Sequence, residues 1–275
     1  RSTTLPSLQR LKIIHILIFC STININFMPI PLSLKPKHKY DLIRVGSQND
    51  GGYLIEKNSI FKSDYLLSFG VSTDWNFERE FININNIGFK AYDGSINKEF
   101  WINWKKRAIL KSLKLSFKEL FNYYIIKKSF FKFFNENNFE SSYIGNKINN
   151  LPLNKIINNL KFKKIFIKID IEGNEYEILN DLIKFQSNII GIAIEFHKCD
   201  QMLNKIINFK ERINLELVHI HANNYDGVSM DGIPETLEIT FSRSPDPVNQ
   251  NPEIPNLLDR PNKHNKKDLK LNFGN

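Results

Sequence analysis

The stretch KIFIKIDIEG, Lys164 to Gly173, decides the fold. Ile165, Phe166, Ile167 and Ile169 form a near-continuous apolar run rather than the strict alternation of a strand with one wet face. That pattern predicts a strand buried on both faces of a parallel sheet. It ends on Asp170 and Glu172, and Gly173 lets the chain turn sharply into a helix marked by Tyr176, Ile178, Leu179 and Leu182.

The same grammar recurs on either side. IIGIAIEFH, Ile189 to His197, precedes a helical segment around Met202, Leu203, Ile206 and Ile207. NLELVHIHANN, Asn214 to Asn224, reads as a further strand, and PETLEITFS, Pro234 to Ser242, as an antiparallel partner that closes the sheet. Upstream, DYLLSFG, Asp64 to Gly70, leads into a segment carrying Trp75, Phe77, Phe81, Ile82 and Ile84, and IGFKAYD, Ile87 to Asp93, is a strand ending on a carboxylate. IRVGSQNDGGYLI, Ile43 to Ile55, reads as a hairpin about Asn49-Asp50-Gly51-Gly52. Strands alternating with helices imply right-handed crossovers and an α/β, doubly wound, mostly parallel sheet.

Composition sets the outer limits. With 275 residues, 41% of them hydrophobic, the chain can build one substantial core. Ile, Asn and Lys are abundant enough to reflect coding bias, so Asn-rich stretches carry little weight. Cys20 and Cys199 are too few for a disulfide framework, which fits a reducing, cytoplasmic setting. Residues 1–39 read as a leader: the apolar run Leu11 to Phe19 resembles a secretory h-region but lacks a small-residue cleavage site and is too short to span a bilayer. The expected domain is 40–242. Beyond it, prolines at 245, 247, 252, 255 and 261 describe a flexible, dispensable tail over 243–275.

The net charge of +9 is unevenly spread. Between residues 98 and 134, lysines and Arg107 are interleaved with Phe100, Trp101, Trp104, Phe117, Phe121, Tyr123, Tyr124, Phe130 and Phe131, opposed within Lys98 to Lys132 by only Glu99 and Glu119. This reads as a helical insertion over the carboxyl edge of the sheet, able to cover an acceptor or touch an anionic surface. The simpler alternative is an amphipathic pair with a solvated basic face.

In an open α/β sheet, ligands bind beyond the carboxyl ends of the strands, where strand order reverses. The loop from Ser68 to Asp74 and the carboxylate Asp93 occupy the first two such ends. A glycine there allows close backbone approach, and an acid after the second strand can accept both hydroxyl hydrogens of a ribose. Together they describe an adenosine site; separately, Gly70 reads as a turn residue and Asp93 as a helix cap.

RVGSQNDGGYLI, SFGVSTDWNFERE, KIDIEGNEYEIL, AIEFH and HIHANN, in this order, resemble the FkbM-type methyltransferases and their methyltransferase-like relatives, over roughly residues 40–242. The resemblance implies a class I, Rossmann-like methyltransferase fold that binds S-adenosylmethionine and O-methylates a sugar or other small hydroxylated acceptor. No specific nucleic acid is expected as a partner. On the matching positions, Ser68, Gly70, Ser72 and Asp74 would form the cofactor loop and Asp93 would hold the ribose. Asp170 and Glu172 would face donor and acceptor. One departure is plain: the usual first loop reads acid-x-Gly-x-Gly-x-Gly, and of those residues this chain keeps only Gly70.

Methyl transfer to a hydroxyl needs one base. Asp170, Glu172, Glu195, His197, His219 and His221 all lie at or near strand ends, and His197 comes first because an imidazole titrates near neutrality. Two other function classes fit parts of the pattern. His219 and His221, two apart on a strand, share a face and with Glu195, His197 and Asp170 suggest a metal-dependent hydrolase. A divergent first loop suggests a non-catalytic binding module on the same fold.

Overall fold

In the computed structural model, which describes residues 29–113, 117–248 and 251–274, the apolar runs assemble into a seven-stranded sheet. Short strands β1 (Ile30–Pro31) and β2 (Lys39–Tyr40) precede the hairpin of β3 (Leu42–Gly46) and β4 (Gly52–Glu56). The main sheet takes β5 (Tyr65–Phe69), β6 (Gly88–Tyr92), β7 (Phe139–Glu140), β8 (Ile165–Ile169), β9 (Ile189–His197), β10 (Glu216–Ala222) and β11 (Thr236–Ser242). Their order is β10-β11-β9-β8-β5-β6-β7. The five strands from β9 to β7 are parallel, and β11 lies antiparallel between β9 and β10. The order reverses at β5, which has β6 on one side and β8 on the other. That is where ligands bind in such sheets.

Helices α1 (Lys57–Lys62), α2 (Asn76–Asn85), α3 (Lys98–Ser112), α4 (Lys118–Phe133), α5 (Leu153–Asn158), α6 (Glu175–Lys184) and α7 (Cys199–Arg212) cover the sheet. The period of two along β8 divides the core. Ile165, Ile167 and Ile169 pack with Ile178 and Leu182 of α6 and Ile206 and Phe209 of α7. Phe166 points the other way, into Phe77 and Phe81 of α2, with ring centroids 6.5 and 4.8 Å away. Among the described residues no helix is long and apolar enough to cross a membrane.

Three expectations change. Because β7 runs parallel to β6, the basic aromatic stretch 98–134 is the crossover between these two strands rather than an insertion. Its inner side is core: Trp101, Ala108, Tyr123, Phe130 and Phe134 pack with Val71, Trp75 and Ala91. Next, the packed chain begins before residue 40. Ile30 and Leu34 are fully buried, and β1 pairs with β13 (Phe273–Gly274) near the carboxyl terminus. The apolar run Leu11 to Phe19 lies outside the described residues.

The tail is the third change. β12 (Pro247–Val248) pairs with β2, Asp259 lies 2.9 Å from buried His219, Asp268 lies 3.1 Å from buried His221, and Asn262 bonds Glu238 and Asp50. Proline and lysine keep this segment out of helices and central strands. They do not stop its Asp and Asn side chains from docking on buried partners.

Candidate active site

The turn after β5 is fixed by close contact. Gly70 adopts φ +79°, and a Cβ there would sit 1.6 Å from the carbonyl oxygen of Asp170. Only glycine allows the ends of β5 and β8 to meet this closely. Left-handed backbone also follows three parallel strands: Ser72 after β5, Glu172 after β8 and Lys198 after β9, with φ of 50, 54 and 54°. Each costs about 1–3 kcal/mol, and such strain concentrates at functional sites.

Beyond these ends lies a cavity of about 310 Å³, lined by Gly70, Ser72, Tyr92, Asp93, Gly94, Ser95, Ser142, Tyr143, Ile144, Asp170, Ile171, Glu172 and Asn174. Five of the residues singled out from sequence therefore meet here: Gly70, Ser72, Asp93, Asp170 and Glu172. The wall after β7 was not legible. That strand is two residues long, and Ser142, Tyr143 and Ile144 follow it in an Asn-rich region. Tyr143 packs so closely on Gly94 that a Cβ there would lie 2.4 Å from its ring.

The first loop compensates for its missing glycines. Ser72 takes a left-handed conformation where the usual pattern has glycine, and Asp93 holds it there. Oδ2 of Asp93 accepts from the backbone N–H groups of Val71 (2.9 Å) and Ser72 (2.7 Å), and Oδ1 accepts from the N–H (2.8 Å) and hydroxyl (2.6 Å) of Ser95. Ser68 and Asp74 stand away from the cavity. Ser68 is fully buried within β5, where its hydroxyl donates to Glu78 of α2. Asp74 accepts from Asn76 N–H (3.0 Å) at the start of α2 and from Ser47 of the hairpin.

Behind Asp170 lies a polar network in which sequence reading singled out Glu195 but neither Lys168 nor Tyr53. Lys168, inside the apolar strand β8, is 4% exposed; its Nζ donates to Oδ2 of Asp170 (3.4 Å) and to the carbonyl of Gly70. Burial opposes the lysine charge, but Asp170, Glu78 and Glu195 outweigh it and raise its pKa above the ordinary value. Tyr53, from the Asn-Asp-Gly-Gly-Tyr hairpin, donates to Glu195 (3.0 Å) and stands 3.5 Å from Asp170 Oδ2. Asn223 donates to the other oxygen of Glu195 (2.9 Å). Burial first, then the carboxylates of Asp170, Glu238 and Asp50, push the Glu195 carboxyl well up. A lysine within an isoleucine run was the visible signal, since lysine is almost never fully buried unless paired.

His197 lies beside this cavity rather than in its wall. It lines a neighbouring groove with Glu172, Lys198, Asp200 and Asp226. Its Nδ1 is 3.3 Å from Glu175 and its Nε2 3.5 Å from Glu172. Burial lowers its pKa, but the hydrogen bond to Glu175 and the charges of Glu175, Asp170 and Glu172 prevail and raise it. Asp170, Glu172 and His197 each bring a potential ligand atom within 4.8 Å of the others, a set able to hold a divalent cation; Asp50, Glu195 and Glu238 do the same. His219 and His221 join neither group. Their imidazoles face Asp259, Glu238 and Asp268, so the pair serves the docking of the carboxyl-terminal segment and does not join Asp170 and His197 as the hydrolase reading expected.

Strand order, the antiparallel β11 and a cavity at the reversal of order define a class I, Rossmann-like methyltransferase fold. Residues 15–214 match the Methyltransferase FkbM domain, and the chain belongs to that family of S-adenosylmethionine-dependent methyltransferases. Solved structures that it resembles include M. capricolum TrmK in complex with S-adenosyl-homocysteine, at 13% identity and TM-score 0.36 over 70% of each chain. Precorrin-6y C5,15-methyltransferase from Geobacter metallireducens shares 15% identity at TM-score 0.36, over 68% of this chain and 86% of that one. The fibrillarin/Nop5p complex matches at 13% identity and TM-score 0.34, over 75% and 92%. No protein of curated function matches the sequence.

Proposed function

We propose that the chain O-methylates a sugar or other small hydroxylated acceptor, with Asp170 as the group that takes the hydroxyl proton. The cavity volume lies within the range of small-molecule sites. Gly70 and Gly94 line the cavity beside Asp93. S-adenosylmethionine, when bound, supplies a methyl group already activated by its sulfonium. Gly70, Ser72 and Asp93 would hold it. Rotation of the Ser95 hydroxyl frees one acceptor position on Asp93 for a ribose hydroxyl.

The observation that carries the base assignment is the tethering of Asp170. Lys168 and Tyr53 approach Oδ2 alone, so Oδ1 is without a protein hydrogen bond among the described residues, in a residue that lines the cavity. A base held by one oxygen and presented by the other is oriented for proton transfer. His197 is less suited, since its raised pKa keeps it protonated further into the neutral range. The experiment offers sugars, glycosides and small polyols with S-adenosylmethionine, measuring S-adenosyl-homocysteine release. With an accepted substrate, Asp170→Asn should reduce kcat about a hundredfold or more and leave cofactor affinity within about twofold. Undiminished turnover in the folded variant would remove Asp170 from the role, and methylation confined to amines or nucleic acid would remove the acceptor class.

A further inference from the structure

Each helix of the α3–α4 crossover carries two apolar stripes, and the core uses one. On α3, Trp101 and Ala108 are buried, while Ile102, Ile109 and Leu113 recur at helical spacing on a face that is exposed. On α4, Tyr123 and Phe130 are buried, while Phe117, Phe121, Tyr124 and Phe131 are exposed. Leu113 and Phe117, at the end of one helix and the start of the next, are 76% and 67% exposed, so the patch runs to the adjoining ends of both helices. Folded chains seldom leave so many large apolar side chains together in water unless something covers them.

The charge around the patch specifies what covers it. Lys105, Lys106, Lys118, Lys128 and Lys132 are exposed among these side chains. Of the acids on the two helices, Glu119 is already paired with Lys111 at 3.1 Å. Lys105, Lys127, Lys128 and Lys132 line one open groove with Tyr124 and Phe131. A polyanion in water would satisfy the lysines but leave Ile109, Leu110 and Leu113 hydrated. A neutral apolar partner would do the reverse. An anionic bilayer satisfies both, with lysines at headgroup phosphates and the aliphatic and aromatic side chains at the acyl boundary.

We infer that the outer face of this helical pair docks the protein on an anionic lipid surface. Ser95 lines both the cavity and a second groove along α3 that holds Lys106, Arg107 and Leu110, so docking would bring the cavity mouth close to the bilayer. The test is co-sedimentation of the full chain with vesicles of phosphatidylcholine alone and of phosphatidylcholine with a third phosphatidylglycerol. Binding should be confined to the anionic vesicles and weaken as salt rises. Two variants separate the components: Leu113→Ser/Phe117→Ser/Phe121→Ser and Lys105→Glu/Lys106→Glu/Lys128→Glu. Each should lower partitioning about tenfold or more, with circular dichroism and S-adenosylmethionine affinity unchanged. Absence of binding, equal binding to both vesicle types, or concentration-dependent self-association that covers the patch would overturn the inference. So would tight RNA binding lost in the lysine variant and kept in the apolar one.

Discussion

Asp93 orders the first loop and also lies in the wall of the cavity. Its two oxygens take four hydrogen bonds from Val71, Ser72 and Ser95, which is how a loop with a single glycine of the usual pattern keeps Ser72 in a left-handed conformation. Asp93→Asn would replace one acceptor oxygen by a donor facing other donors. Cofactor affinity should fall about tenfold to a hundredfold, as loss of hydrogen bonds to a charged group implies, and calorimetric titration reads it directly. Gly70→Ala should act on the fold instead: with φ +79° and the Asp170 carbonyl at 1.6 Å from the new Cβ, we expect a loss of about 2 kcal/mol or more in urea unfolding. The pH profile of kcat distinguishes the bases. A His197 base would give a limb rising through a pKa above 6.5, because its pKa is raised, and a profile without that limb would remove His197 from the role. The residues legible in the sequence were those whose position follows from a strand end, such as Gly70, Asp93 and Asp170. Tyr53 and Lys168 reach the site across the sheet from a hairpin and from a strand interior, and strand order alone gives no such contact.

At the scale of elements, β8 was readable because all five of its residues are buried and its apolar run has no competing period. Phe166→Ala should cost about 3–5 kcal/mol in unfolding free energy, since the ring fills the space between Phe77 and Phe81. Cofactor affinity, normalised to the folded fraction, should change little; a large drop would mean that α2 and the first loop move with the core. The helices of 98–134 were also legible, but not their role. The parallel pairing that makes them a crossover rests on β7, whose two residues carry no periodicity. The same limit hid the Ser142–Ile144 wall, which depends on that strand for its position.

Across the whole molecule, the two ends of the described chain meet, and the carboxyl-terminal segment closes over β10 and β11 through charges that composition does not reveal. His221 is the centre of that closure, between Glu238 and Asp268 at 3.1 Å each. Burial alone would lower its pKa from 6.5, but hydrogen bonds to Asp268 and Glu238 outweigh burial and push it up to about 10. A raised histidine pKa stabilises the folded state fully below the unfolded value and loses that contribution as pH climbs through the folded one. This part of the stability should therefore be complete near pH 6 and decline between about 6.5 and 10. Asp259, held low once the charges of His219 and His221 overcome its burial, keeps its own contribution until the solution is acid enough to protonate it. Deleting residues 251–275 removes Asp259 and Asp268 together. Urea unfolding of the full and shortened chains should show the largest difference near pH 6 and a smaller one near pH 9.5, where His221 is losing its proton in the full chain. His221→Gln should flatten the alkaline slope of the full-length protein while leaving the segment in place. A difference between full and shortened chains that is the same at both pH values would mean that apolar contacts such as Leu271 and Phe273, rather than the histidine pairs, hold the segment down.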